Sequence, residues 1–133
     1  MKNIKITLPL YYTIEYKTKQ NKTILINNNW YRNTHYQIAN KVKHYYKKLV
    51  LDQIDKNIKF NQVELHCNLY YKSSVSDLDN YSILIKFLLD PLQEIGCLEN
   101  DNVNFVKKIT LEVKNRDINE PRLEITIKEI YDN

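Results

Sequence analysis

The chain has 133 residues, 43% of them hydrophobic, which suits one compact domain spanning residues 1–133 and excludes a disordered tail. Its 20 basic and 16 acidic residues leave a net charge of +4, a mildly basic balance compatible with a polyanionic partner. No apolar run approaches the length of a membrane span, and Cys67 and Cys97 form no spacing motif, so the expectation is a cytoplasmic protein with reduced, buried thiols and no membrane partner.

In chain order, residues 4–8 alternate apolar and polar and predict a half-buried strand ending at Pro9. Residues 11–17 and 22–26 are rich in β-branched and aromatic side chains and predict two strands paired across a polar turn. After the polar break at 27–29, residues 33–54 take a helical period, with Ile38, Val42, Tyr45 and Leu49 on one stripe and Asn33 or Thr34 placed to cap the start. Alternation returns over 58–72, with Val63, Leu65, Cys67 and Leu69 on one face. A second helix, over 79–95, is apolar nearly all round and belongs against the sheet; Gly96 sits where a C-terminal cap glycine belongs, and Pro91 predicts a kink or an early end near Asp90. Strands over 104–115 and 121–130, joined by a polar turn, complete an α/β (α+β) pattern: a mixed β-sheet with two main helices packed on it.

Three groups of residues could carry chemistry. Asp77 and Asp79 stand one residue apart at the entry to the second helix. Such a pair either caps the helix or, if a third acid is brought close, holds a cation. The stretch LENDN, residues 98–102, supplies Glu99 and Asp101 just beyond the same helix. A straight helix of about 16 residues is about 24 Å long, so the two acidic groups meet only if the helix is short or the chain folds back. Lys86 lies seven residues after Asp79 and four before Asp90, and a helical lysine leans toward the helix N-terminus. It either neutralises charge on a phosphate or pairs with Asp90 at the surface. The third group interleaves aromatic and basic residues: Trp30, Tyr31, Arg32, His35, Lys41, Lys43, Lys47 and Lys48. That mixture suits phosphate contact with base stacking, or a solvated basic face with aromatics in the core. His66 and Cys67 point to opposite faces of a strand, no nucleophile stands with a base, and a single glycine cannot form a phosphate-cradling loop. Hydrolase triads, P-loops and dinucleotide folds are therefore poor fits.

Taken together, these stretches resemble the RusA-like family of Holliday-junction resolvases (crossover-junction endodeoxyribonucleases). The likeness runs from Asp77 to Ile127, through DLDN, a helix with KFLLDPL, then GCLENDN, the strand VKKITLEV and finally PRLEITI; the stretch NWYRNTHYQIANKVKHYY is similar to the amino-terminal segment of one branch. The resemblance implies a RusA-like fold and a homodimer that cuts Holliday junctions or other branched DNA in recombination and repair. It implies that Asp77, Asp79 and Asp101 hold Mg²⁺ or Mn²⁺, that Lys86 assists at the phosphate, and that these four are the catalytic residues of a phosphodiester hydrolase. A metal-activated water would then attack in line. The basic and aromatic residues of the third group would contact DNA. Asn100 stands where the family carries an acid, a feature that favours an alternative: a non-catalytic nucleic-acid-binding domain of the same fold.

Overall fold

The computed structural model describes residues 3–130, which form a single small α+β domain. The elements are β1 (Asn3–Pro9), β2 (Tyr11–Ile14), β3 (Lys22–Leu25), α1 (Asn28–Asn33), α2 (Tyr36–Gln53), β4 (Gln62–Tyr71), a 3-10 turn (Leu78–Tyr81), α3 (Ser82–Glu94), β5 (Val106–Arg116) and β6 (Arg122–Ile130). β2 and β3 pair as a small antiparallel hairpin, while the main sheet has the order β1-β6-β4-β5. Only the β4–β5 pair in this sheet is parallel, and α3 is the crossover between those two strands. The last two strands are joined by a turn but do not pair, because β4 lies between them.

Period-two alternation sets which face of each strand is buried. Register then lines the inward residues into three apolar rows across the sheet: Ile4–Ile127–Leu65–Ile109, Ile6–Ile125–Cys67–Leu111 and Leu8–Leu123–Leu69–Val113. The helices cover these rows over β1, β6 and β4, where Ile6, Leu8, Leu65, Cys67, Leu123, Ile125 and Ile127 are all buried. Cover runs out at β5, where Ile109 and Val113 remain 49% and 46% exposed. Burial pushes the Cys67 thiol up to about 12 and raises that of Cys97, so both cysteines sit in the structure as protonated, unpaired thiols.

The predicted helix over 33–54 is α2, and a separate short helix that the sequence pattern does not predict, α1, precedes it. Asn27 caps α1 by accepting the Trp30 N–H at 2.8 Å, and Thr34 and His35 then take extended backbone, so that His35 rather than Asn33 or Thr34 caps α2. The buried stripe of α2 is Ala39, Val42, Tyr46 and Val50, one position beyond the predicted one everywhere except Val42; Tyr46 O–H donates to Pro9 O, while Tyr45 stays half-exposed against the Tyr12 ring. α3 also runs on through Pro91 without the expected early stop. Pro91 and Leu92 are buried in the core, and helical bonding continues beyond the proline, where the Ile95 N–H donates to Pro91 O at 3.1 Å. The helix ends at Gly96, whose φ of +79° is the left-handed geometry that a side chain resists, and Lys59 Nζ holds the Gly96 carbonyl at 3.0 Å.

The two outer edges of the main sheet are treated differently. Along β1, the Gln53 side-chain amide donates to Thr7 O and accepts from Thr7 N–H, each at 2.8 Å, and so occupies the edge as a neighbouring strand would. No equivalent cover lies along the outer edge of β5 among the described residues.

The face of the sheet away from the helices is polar, and Arg122 organises one end of it. Its guanidinium bridges Asp117 at 2.8 Å and Glu124 at 3.1 Å, lies 4.0 Å from the centre of the Tyr70 ring, and shares Glu124 with Lys5. The Glu120 N–H, and then Arg122, hold the Asp117 carboxyl below its ordinary value of 3.8. Burial pushes Glu124 up, but Lys5 and Arg122 together outweigh it and leave the carboxyl below its ordinary 4.5. Carboxyls lowered in the folded state stabilise it above their unfolded values and stop doing so as pH falls through the folded ones. The urea midpoint is therefore expected to fall as pH drops below about 4.5, and Arg122→Gln should flatten that fall; equal acid sensitivity of the two proteins would remove this assignment.

Candidate functional site

A strand–helix–strand crossover decides where the candidate acids lie. β4 runs toward its carboxyl end, α3 runs back, and β5 runs parallel to β4 again. Residues entering α3 therefore sit at the carboxyl ends of the strands, the customary place for ligand sites in parallel crossovers. Residues leaving α3 sit at the opposite, amino end. Backbone bonds pin both ends: Val63 N–H donates to Phe105 O at 2.8 Å, and Asp117 N–H donates to Tyr71 O at 2.7 Å. Asp77 and Asp79 belong to the carboxyl end and Asp101 to the amino end, apart by the length of the 13-residue α3, about 20 Å at 1.5 Å per residue. The chain after Gly96 enters β5 and does not fold back. The fold brings Asp77, Asp79 and Lys86 to one end and leaves Asp101 at the other, and among the described residues no three His, Cys, Asp or Glu side chains gather as a metal-holding group.

Neither carboxylate at the entry to α3 is used as a cap. Asp77 occupies the N-cap position of the 3-10 turn, yet its side chain makes no capping bond; the Asn80 N–H donates instead to the Asp77 carbonyl at 3.0 Å. The Asp79 carbonyl takes the Ser82 N–H and, at 3.4 Å, the Asn28 amide. Both side chains are exposed. The capping of α3 is done by Asn28, whose Oδ1 accepts the Ile83 N–H at 2.7 Å while its Nδ2 donates to Ser82 Oγ at 2.8 Å. Its neighbour Asn27, buried at the start of α1, donates to Ser76 Oγ at 3.3 Å. Two consecutive asparagines thus stitch α1 to the acidic loop and to the head of α3. The polar run at 27–29 reads in sequence as a plain break; an Asn three residues before Trp30, at the N-cap spacing, is the capping signal it holds.

Lys86 is exposed on α3 and makes no ion pair with Asp90 among the described residues. With Arg32, Asn28, Tyr31, Ser82 and Ile83 it lines an open depression of about 360 Å³. Arg32 is the residue of the basic-aromatic segment that the fold carries to the Lys86 side. Trp30 and Tyr31 are partly buried against the core, Tyr31 edge-on to Phe87 at 5.9 Å, so the core reading describes them. His35 Nδ1 accepts the Gln37 N–H and its ring stacks on the exposed Tyr36 at 4.7 Å. Lys43 lies over the Tyr31 ring and Lys47 pairs with Glu94 of α3, both facing the α2–α3 cleft that Asp90 also lines. Lys41 and Lys48 point to solvent.

No protein-family model and no curated protein matches this chain. Among the described residues, no helix is long and apolar enough to cross a membrane.

The stitching by Asn28 sets a testable stability term. Asn28→Ala removes the acceptor for the Ile83 N–H and should cost about 1 kcal/mol in urea unfolding, with faster amide exchange at Ile83. An unchanged midpoint and unchanged exchange at Ile83 would show that water replaces the cap without loss.

Proposed function

We propose that this chain is a metal-dependent, structure-specific endodeoxyribonuclease of RusA-like type that acts on branched DNA as a homodimer. One observation carries the reading: the Asp77 and Asp79 carboxylates are exposed, take no capping bond, and share the carboxyl end of β4 with Lys86 and Arg32, which make no ion pair among the described residues. Two carboxylates one residue apart suit Mg²⁺, which keeps several waters and takes one or two carboxylates beside phosphate oxygens. Mg²⁺ held by Asp77 and Asp79 would supply a Lewis acid and a coordinated water of lowered pKa. The chain's own part is positional and electrostatic. Lys86 and Arg32 offer charge to the scissile and neighbouring phosphates, and Asn28 fixes the head of the helix from which Lys86 projects.

Asp101 lies a helix length from this pair in its own protomer, so the reading draws on the partner subunit's Asp101. A two-fold dimer with two such shared sites matches the near two-fold symmetry of a four-way junction. Arg32, Lys41, Lys48 and Lys86 supply phosphate contacts, so binding is expected to weaken steeply with salt. The remoteness of Asp101 within one chain favours a second reading, a nucleic-acid-binding domain without catalysis.

A four-way junction separates the two. With Mg²⁺ the wild type is expected to cut it, and Asp79→Asn to lose about 100-fold or more of that rate while still retaining the junction at low salt. Mixing Asp79→Asn with Asp101→Asn should restore nicking, because a mixed dimer keeps one intact shared site. Binding without cleavage in either Mg²⁺ or Mn²⁺ would leave the binding domain, and failure to bind at low salt would sink both.

A further inference from the structure

The two sheet edges provide the starting point. The β1 edge is occupied by the Gln53 amide, whereas among the described residues no backbone or side-chain group bonds the outer edge of β5. Its helix-side residues Ile109 and Val113 are half-exposed at the ends of apolar rows, Val113 beside Leu78 and Tyr81. An open edge strand with apolar side chains is a template for another strand. The lysines of β5 would ordinarily guard such an edge, but Glu112, 3.2 Å from Lys114 in its own chain, stands four residues from Lys108, which is opposite Glu64 of β4. Glu112 and Lys108 share a face with Thr110 midway.

We propose that a second copy of this chain adds to the sheet at β5, antiparallel, with the two-fold axis at Thr110. In that register Lys108 faces the partner subunit's Glu112, and Glu112 faces the partner subunit's Lys108. Ile109 faces the partner subunit's Leu111 and the reverse, so two of the three apolar rows continue from one copy into the next. Opposite charges directly across a strand pair stabilise it and like charges destabilise it. The neighbouring register, centred on Leu111, aligns more apolar residues but sets Lys108 against Lys114 on both sides of the axis. Charge complementarity therefore selects Thr110.

Antiparallel pairing has a second consequence. It turns the amino end of the partner's β5 toward the carboxyl end of β4 and β5. Val103, 81% exposed, lies at the first end and Val75, 76% exposed, at the second, so the pairing brings two unpartnered valines to the same end of the sheet. The partner subunit's Asp101 comes to the end that holds Asp77 and Asp79. The pairing itself stands apart from the nuclease reading; only this last consequence rests on it.

Light scattering on the full chain is expected to give twice the 16.0 kDa chain mass. Glu112→Lys and Lys108→Glu should each give monomer, and the double exchange should return the dimer. Directly opposed residues of an antiparallel pair have Cα atoms about 5 Å apart, within disulfide reach. Thr110→Cys should therefore form a covalent dimer on mild oxidation, and Leu111→Cys should not; the native Cys67 and Cys97 are buried and do not compete. Circular dichroism melts of each variant separate loss of pairing from loss of fold. A folded wild-type monomer, cross-linking at 111 in place of 110, or a double exchange that stays monomeric while folded would each overturn the proposal, whatever the protein does to DNA.

Discussion

The alignment of three apolar rows across the main sheet is the constraint on which the rest of this molecule depends. Each row draws one residue from each of four strands, and a slip of one residue in any strand would turn its apolar side chains to the polar face. That register decides that α2 and α3 lie on one side only. It also decides that the other side carries the Arg122 cluster, and that β5 ends the sheet with its apolar residues half-covered. A hydrophobic row has no preferred direction along the sheet, so it stops only where helical cover stops. Here the cover stops one strand short.

Much of this was legible in the sequence because it rests on short-range periodicity. The alternation of Val63, Leu65, Cys67 and Leu69 marks β4, and the all-round apolar helix before the single glycine marks α3. What could not be read was decided by contacts between distant residues. The offset of the α2 stripe follows from Tyr46 reaching Pro9. Asn28 caps a helix 55 positions further on, which no local pattern announces. Pro91 reads as a helix breaker because the missing N–H is visible in sequence and the burial that offsets it is not.

The candidate site shows the same division. That Asp77, Asp79 and Lys86 share one end of a helix follows from spacing alone, whereas the position of Asp101 is a property of topology. A parallel crossover sends whatever follows its helix to the far end of the sheet, so acids that bracket the helix in sequence are kept apart in space. The segment that reads as a basic and aromatic patch is divided too. Tyr31, Lys43 and Lys47 are drawn into packing between helices, and Arg32 is carried to the Lys86 depression. Composition had grouped these residues; packing separates them by place.

The Gln53 amide on Thr7 bears on how far this sheet can grow. An edge strand that accepts a partner risks accepting another on its far side, and repeated addition at two open edges is how sheets become fibres. With one edge occupied by a side-chain amide, the proposed pairing at β5 would join each copy once and leave the same residue at both outer ends. In that pairing a glutamine at the end of a helix would act as a chain terminator, keeping the joined sheet finite.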